Sequence, residues 1–365
     1  MLSLTNPYQP SIRHAIYKQL PQDFVVNEQL NVAFAQHGEH LWLHLQKTNL
    51  NTAYLVKLLA KWANISEKDV GFSGLKDRHA VTSQWFSLRL PKKIAPTQPL
   101  NDFFAEQLST DEKVAVLDLV WHDKKLSRGT HHSNQFIITL KQVHADKIAV
   151  ENQLLLIKKQ GFPNYFGEQR FGKEQQNLEK FNQFLQNSQQ KSIIKHNNKD
   201  KQKFSLYLSS ARSELFNAIL AERVRQNTWQ TAQLGDVMNL AGSQSIFVPD
   251  TIDDALQQRL ASGDIHVTGA MWGAGELKSF ASIAQLEQAV INANPAHQTL
   301  AKGLASFGLK QQRRALRVIP QNFTWQWLED DKLVLDFVLP TGSFATALLA
   351  CLAEELFIFT KKIDK

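Results

Sequence analysis

Residues 71–86 read GFSGLKDRHAVTSQWF and join a turn that carries two glycines to a strand-like pattern. From residue 81 onward the side chains alternate between two faces, as they do in a β-strand. The turn holds one carboxylate, Asp77, between Lys76 and Arg78. A carboxylate that is flanked by two cations at the start of a strand should stay ionised and is able to act as a nucleophile.

The same turn also fits a second interpretation. Aspartate is a common turn residue, and neighbouring cations usually form a solvated surface cluster. Local chemistry alone favours this ordinary turn, so the residues around Asp77 do not by themselves establish a catalytic site.

Composition limits the class of protein. The 365 residues are enough for two domains, and 43% of them are hydrophobic, which supports sizeable cores. Lys and Arg number 41 against 34 Asp and Glu, and the net charge of +7 favours a polyanionic partner. Cys351 is the one cysteine, which excludes disulfides within the chain and a multi-cysteine zinc cluster.

The sequence also bears on the compartment. A single cysteine is typical of a reducing environment. No apolar run approaches the roughly 20 residues that a membrane span needs. The first residues lack the charged start and apolar core of a secretory signal. We therefore expect a soluble cytoplasmic protein that binds no membrane.

Hydrophobic periodicity predicts a mixed α and β chain. Strands are expected at 39–47, 81–86, 113–121, 134–141 and 332–339, and helices after a cap at Thr52, at 147–160 and at 211–226. The segment 175–203 is rich in Gln, Asn and Lys. Within it, residues 191–203 hold five lysines and one Asp and fit either a solvated surface loop or an arm that faces phosphates, and the composition leaves both open.

Ordered motifs occur along most of the chain. They are PQDFVV at 21–26, GLKDRHAVT at 74–82, RGTHHSNQF at 128–136, GFPNYFGEQRFG at 161–172, LSSAR at 208–212 and LPTGSFAT at 339–346. Together these segments resemble the signatures of the TruD family of tRNA pseudouridine synthases. The match at 74–82 is long and ordered, and is therefore far more specific than a short glycine motif.

The resemblance implies an α+β fold. In that family a pseudouridine synthase catalytic domain with a mixed, mainly antiparallel sheet is interrupted by an inserted α/β TRUD domain. By resemblance, residues 1–160 and 319–365 form the two parts of the catalytic domain, and residues 161–318 form the inserted domain. The sequence itself shows only a shift in composition after Gly161.

The resemblance also implies an activity. The chain would be an isomerase, an intramolecular transferase that converts uridine to pseudouridine in tRNA, with uridine 13 of the D arm as the target. Asp77 matches the catalytic residue of the family. The reaction needs no metal or redox cofactor, so we expect neither, and we expect a monomer whose partner is tRNA.

Further residues match positions that contact substrate in the family. They are Phe24, Asn134, Phe136 and Phe344, and Arg78 is a candidate for a phosphate contact. Phe136 occupies the position where other pseudouridine synthases have Tyr. Without the resemblance each phenylalanine would be interpreted as a core residue, because Phe is usually buried. Other candidate phosphate contacts are residues 191–203, Lys310, Arg313, Arg314 and Arg317.

The sequence leaves two rival functions open. One is a non-catalytic RNA-binding protein or RNA chaperone on the same scaffold, and the other is the same isomerase acting on a different RNA. A pure binding protein has no need for the carboxylate of Asp77, so an intact motif favours the enzyme. His131 and His132 do not predict a metal site, because no Cys or acidic residue lies at ligand spacing.

Overall fold

The computed structural model describes residues 5–172, 175–186 and 198–358. Within these residues the chain forms two compact units. The sheet unit comprises Ser11–Val150, Pro320–Gly342 and residues 353–358. The helical unit comprises residues 5–10, the described part of Glu151–Ile319, and Ser343–Leu352. The chain therefore passes between the two units more than once.

One mixed sheet dominates the sheet unit. Its strands are β1 (Ile12–Tyr17), β2 (Phe24–Gln29), β3 (His40–Thr48), β4 (Val70–Phe72), β5 (Val81–Arg89), β6 (Lys113–His122), β7 (Ser133–Ala145), β14 (Gln321–Glu329), β15 (Lys332–Pro340) and β16 (Ala353–Ile358). The central order is β14-β15-β7-β2-β5-β3-β6, while β1 pairs with β7 and β16, and β4 pairs with β5. The β2–β5 and β1–β16 pairs are parallel and the other pairs are antiparallel. This confirms the predicted mixed, mainly antiparallel sheet.

Both faces of the central strands are covered. Helices α1 (Thr52–Trp62) and α2 (Leu100–Gln107) pack their apolar side chains, among them Leu59 and Phe104, against one face. A smaller aromatic cluster that includes Trp42 covers the other face. Because both faces are buried, β5 is buried at almost every position and not at alternate ones.

The helical unit has its own core. Its helices are α4 (Gln176–Gln186), α5 (Asn198–Arg225), α6 (Asp254–Ser262), α7 (Ala281–Asn292), α8 (Pro295–Ser306) and α9 (Ala345–Leu352), and most of α3 (Lys147–Gln160) also belongs to it. Its strands are β8 (Phe162–Pro163), β9 (Met238–Leu240), β10 (Ile246–Phe247), β11 (Ile265–Met271), β12 (Gln312–Ala315) and β13 (Arg317–Val318). The strand order is β10-β9-β11-β12, and β13 pairs with β8. Apolar residues of α4, α5, α7, α8 and β11 form the core.

The helix predicted at 147–160 has these bounds in the structure. It ends at Gly161, whose φ of +78° is in the left-handed region that favours glycine. A Cβ atom at this position would also lie 2.3 Å from the backbone oxygen of Val318. Both features explain why a glycine follows this helix.

Two local predictions were wrong. Asn51, and not Thr52, caps α1, because its side chain accepts a hydrogen bond of 2.8 Å from the amide of Ala53. The loop interpretation of 191–203 fails from residue 198 onward, where α5 begins, and α4 in the polar stretch before it was not predicted. Phe184 contacts Phe204 at a ring distance of 5.0 Å, and this helix pairing was hidden by the polar composition around it. Residues 187–197 lie outside the described part of the chain.

The described residues of the predicted inserted segment, 161–318, lie within the helical unit. That unit additionally contains residues 151–160 of α3 and the segment Ser343–Leu352. None of the helices in the described residues is long and apolar enough to cross a membrane.

Candidate active site

The turn between β4 and β5 presents Asp77 at the surface of the sheet unit. The Asp77 side chain is 34% exposed, and its Oδ2 atom lies 2.6 Å from Nζ of Lys18. Two side-chain hydrogen bonds fix the backbone of the turn. Thr52 Oγ1 accepts a hydrogen bond of 3.1 Å from the amide of Lys76, and Gln84 Nε2 donates one of 3.1 Å to the carbonyl of Gly74. These side chains come from the first residue of α1 and from β5, so two regular elements fix the turn.

Lys18 was not identified from the sequence. It has a φ of +56°, which is uncommon for a residue other than glycine. Its ammonium lies 3.9 Å from the centre of the Phe24 ring, a cation–π distance. Ring nitrogen Nε2 of His79, in the Asp77 turn, lies 3.1 Å from the carbonyl oxygen of Lys18. The lysine and the turn are therefore connected through both backbone and side chain.

Lys47 supports the same turn from the interior. Its side chain is fully buried, and Nζ donates a hydrogen bond of 2.8 Å to the backbone carbonyl of Asp77. Burial lowers the pKa of Lys47 to about 8, although the nearby Asp77 charge raises it; the charge of Lys76 lowers it further. A cation beneath the turn thus fixes the backbone of the residue that carries the carboxylate.

The two cations that flank Asp77 in sequence point elsewhere. Lys76 Nζ lies 2.9 Å from Glu28 Oε2 and donates to Asn134 Oδ1 at 2.7 Å. Arg78 is 68% exposed; its Nε donates to the carbonyl of Asn49 at 3.1 Å, and its Nη2 atom is 3.8 Å from a carboxylate oxygen of Glu112. The expectation that Lys76 or Arg78 is the cation that pairs with Asp77 is therefore wrong, because Lys18 lies next to the carboxylate.

The predicted base-binding residues of β2 and β7 are neighbours. Phe24 and Phe136 meet edge to face at 6.2 Å, and Phe136 stacks on Phe337 at 5.6 Å with 23° between the ring planes. Phe136 is 9% exposed and Phe24 is 4% exposed. Asn134 precedes Phe136 by two residues on β7, so both side chains lie on the same face of the strand.

The structure thus brings most of the predicted site residues together in the sheet unit. Lys18 contacts both Phe24 and Asp77, and Lys76 connects the Asp77 turn to Asn134. Phe344 belongs to the helical unit, where its half-buried ring lies 5.8 Å from that of Phe166.

Several candidate phosphate contacts are not available. Arg313 is buried in an ion pair with Glu287 at 2.9 Å, and Arg317 is buried and donates to the carbonyl of Leu260 at 2.6 Å. These two predictions were wrong, because adjacent basic residues on two short strands were interpreted as a surface cluster, although both arginine side chains are buried. Lys310 is exposed. Of residues 191–203, those at 191–197 lie outside the described part of the chain.

Arg314 has a different environment. Its guanidinium lies 4.0 Å from the centre of the Phe166 ring, and Nη2 donates to Asn164 Oδ1 at 2.5 Å. Burial, together with the charge of Arg170, lowers the pKa of Arg314 to about 9. This arginine contributes to the interior of the helical unit, and the sequence alone did not indicate that.

A mixed sheet with an aspartate turn at its surface, in a chain that also forms a second α/β unit, agrees with the architecture that the family resemblance implies, a pseudouridine synthase domain with an inserted domain. A family model described as tRNA pseudouridine synthase D (TruD) matches residues 12–197 and 197–351. The chain belongs to this TruD family.

Individual relatives agree with this assignment. A protein of Psychrobacter arcticus named tRNA pseudouridine synthase D is 45% identical over 97% of this chain and 94% of its own length. A protein of the same name from Xanthomonas oryzae pv. oryzae is 42% identical over 96% of this chain and 94% of its own length. A crystal structure of a putative tRNA pseudouridine synthase D from Methanosarcina mazei has a TM-score of 0.65 at 20% identity, covering 94% of each chain, and so shares the fold.

Proposed function

We propose that this protein is a tRNA pseudouridine synthase, with Asp77 as its catalytic residue and uridine 13 of the D arm as its target. The observation that carries the proposal is the partly exposed Asp77 carboxylate held 2.6 Å from a buried lysine ammonium. Membership of the TruD family supports the proposal. Relatives named tRNA pseudouridine synthase D, which match this chain over nearly their full length, support it as well. The choice of position 13 rests on the family resemblance.

The reaction breaks the bond between uracil N1 and ribose C1′ and forms a bond between C5 and C1′. The C5 proton is lost and N1 gains one, so atoms and charges balance without a redox partner. Asp77 either attacks C1′ directly or removes a proton from C2′ of the ribose. In both routes the carboxylate must approach the sugar, and the 34% exposure of Asp77 allows such an approach.

The lysines assist the carboxylate in two ways. Lys18 places a positive charge 2.6 Å from the carboxylate, and this charge remains near the reacting sugar. Lys47 fixes the backbone of Asp77, so the side chain is positioned before substrate binds. A partly exposed carboxylate that is fixed in this way favours the enzyme over a protein that only binds RNA.

The uracil has to be retained while it is detached from the ribose. We infer that Phe136 and Phe24 offer apolar ring faces or edges to the base and that the Asn134 amide pairs with its polar edge. Phe344 is a further base contact by family resemblance. Exposed cations such as Arg78 and Lys310 are candidates for contacts with RNA phosphates.

The test is release of tritium from uridine labelled at C5 in bulk tRNA, followed by mapping of the modified position. Release from tRNA, and its loss in Asp77→Asn, would support the proposal. Tight binding of tRNA without release would favour the non-catalytic RNA-binding protein or RNA chaperone. Modification at another position or in another RNA would favour the same isomerase with a different target. We expect the active species to be a monomer in the cytoplasm.

A further inference from the structure

The side chain of Lys76 is buried beside the site and not directed at Asp77. Its Nζ atom lies 2.9 Å from Glu28 Oε2 and 2.7 Å from Asn134 Oδ1, with 6% of the lysine side chain and none of the Glu28 side chain exposed. Among the described residues Glu28 Oε2 accepts no hydrogen bond, so the ion pair with Lys76 is its partner, and removal of either charge would leave the other buried and uncompensated. The Lys76 ammonium therefore has a fixed location between two strands.

Glu28 is fixed to the sheet in turn. Its Oε1 atom accepts a hydrogen bond of 3.2 Å from the amide of Trp85 on β5. This amide lies beyond the last paired residues of β2 and β5, Asn27 and Ser83, so the carboxylate continues the hydrogen bonding where the ladder ends. Glu28 is also the direct partner of Asn134 across β2 and β7. The carboxylate thus holds Lys76 against the strand that carries Asn134.

An ammonium group only donates hydrogen bonds, whereas a side-chain amide has one accepting and one donating end. The end of the Asn134 amide that faces Lys76 must therefore be its oxygen, as the 2.7 Å contact has it. The NH₂ group of Asn134 then points away from Lys76 and is left to donate. Turning the amide over would place two donors against each other.

We propose that Lys76 is a positioning residue that holds the Asn134 amide in this orientation, so that the site recognises a carbonyl oxygen of uracil and not its N3–H group. This inference rests on the proposed function. Uracil has a carbonyl at C4, where cytosine has an amino group. An NH₂ group held in this orientation donates a hydrogen bond to the carbonyl and repels the amino group, whereas a freely turning amide would accommodate either.

The experiment compares kcat/KM on tRNA transcripts that carry uridine, 4-thiouridine or 2-thiouridine at the modified position. Products are separated by chromatography after digestion to nucleosides. A thiocarbonyl is a poorer acceptor than a carbonyl, so the wild-type protein should discriminate against one of the two sulfur compounds by about fivefold, the size of one hydrogen bond. The ratio of kcat/KM on uridine to kcat/KM on that sulfur compound should fall from about fivefold in the wild type to within about twofold in Lys76→Met. In the same variant kcat/KM on uridine should fall about tenfold. The control Lys57→Met, which removes an exposed lysine from α1, should keep the wild-type ratio.

A structural role alone would not change this ratio, because partial unfolding lowers the rates on all substrates equally. Lys76→Met leaves the Glu28 carboxylate buried without its cation, so the double variant Lys76→Met, Glu28→Gln is measured as well. A lowered ratio in either folded variant supports the inference. An unchanged ratio with measurable turnover of uridine overturns the role of Lys76, as does a wild-type protein that does not discriminate against either sulfur compound. A wild-type protein that does not convert uridine in tRNA at all removes the proposed function itself.

Discussion

Lys18 Nζ lies 2.6 Å from Asp77 Oδ2, although the two residues are 59 positions apart in the chain. The lysine is 6% exposed and its ammonium rests on the ring of Phe24. Its carbonyl contacts His79, two residues after Asp77. The charge next to the candidate catalytic carboxylate thus comes from a segment before β2 and not from the motif that contains the aspartate.

Asp77→Asn should abolish tritium release while tRNA affinity stays within about a few-fold, since the variant keeps the shape of the side chain and removes its nucleophilic charge. Turnover and tRNA binding are measured on the same preparation. Substantial turnover in the purified variant would show that another group performs the reaction.

Lys18→Met should lower kcat by about ten- to a hundredfold, the range expected for loss of one charge-assisted hydrogen bond, with little change in RNA affinity. The matched control is Lys93→Met, because Lys93 is exposed and has a similar φ of +55°. Both variants therefore place methionine in the left-handed region, and only one removes the partner of Asp77. Equal activity of the two variants would contradict the role of Lys18.

The regular elements were largely predictable because their patterns are local. The strand predicted at 332–339 extends over Lys332–Pro340, and its apolar side chains alternate as the sequence does. Helix α4 was missed, because its few aromatic residues are separated by glutamine and asparagine and find their partners on another helix. Hydrophobic periodicity indicates which face of a helix or strand is buried, but it does not indicate which other element packs against that face.

The site was predictable only in part for the same reason. The motif located Asp77, but sequence adjacency suggested Lys76 and Arg78 as its partners, and neither contacts the carboxylate in the structure. Strand pairing and a turn bring Lys18 and Glu28 to the site. Both residues are far from their partners in the sequence, so motif spacing does not predict these contacts. The predicted substrate roles of Phe24, Asn134, Phe136, Phe344 and Arg78 stay predictions.

The buried lysine beneath the turn should make stability depend on pH. Burial lowers the pKa of Lys47 from 10.5 to about 8 in the folded protein, while the unfolded chain keeps the ordinary value. Between pH 8 and 10.5 the unfolded state binds more protons than the folded state, so stability rises with pH in this window. Between pH 8 and 10.5 the free energy of unfolding of the wild-type protein should rise by up to about 3 kcal/mol relative to that of Lys47→Met. Urea unfolding of both proteins at a series of pH values measures this difference, and parallel curves would exclude it.

Binding of tRNA should depend on salt through exposed cations. Arg78→Gln should make the slope of log K against log salt shallower by about 0.7 to 0.9, the value for one phosphate contact. Arg78 is suited to such a contact because its side chain is 68% exposed and its carboxylate neighbour is 3.8 Å away. Lys57→Gln, an exposed change on α1, serves as the control and should leave the slope unchanged. An identical slope for wild type and Arg78→Gln would remove Arg78 from the RNA contacts.

Phe136 has two interpretations that the structure permits equally. It stacks on Phe337 as a core residue would, and it lies beside Asn134 as a residue that holds the base would. If Phe136 only packs, its truncation costs about 3–5 kcal/mol of stability and leaves the folded molecules active. If it also stacks on uracil, truncation removes an interaction of about 1–3 kcal/mol from the detached base as well.

The two interpretations separate when Phe136→Ala is compared with Phe337→Ala. Phe337 is fully buried beside Phe136, its direct partner on the neighbouring strand, so both truncations should lower the melting temperature. Only Phe136→Ala should reduce the turnover of the folded fraction by at least about tenfold, because only it removes a ring that faces the base. Phe136→Tyr keeps the ring and should remain active where the hydroxyl fits. Thermal unfolding and tritium release are measured on the same samples. If both alanine variants melt early and their folded fractions turn over alike, Phe136 is a core residue and uracil is held by other groups.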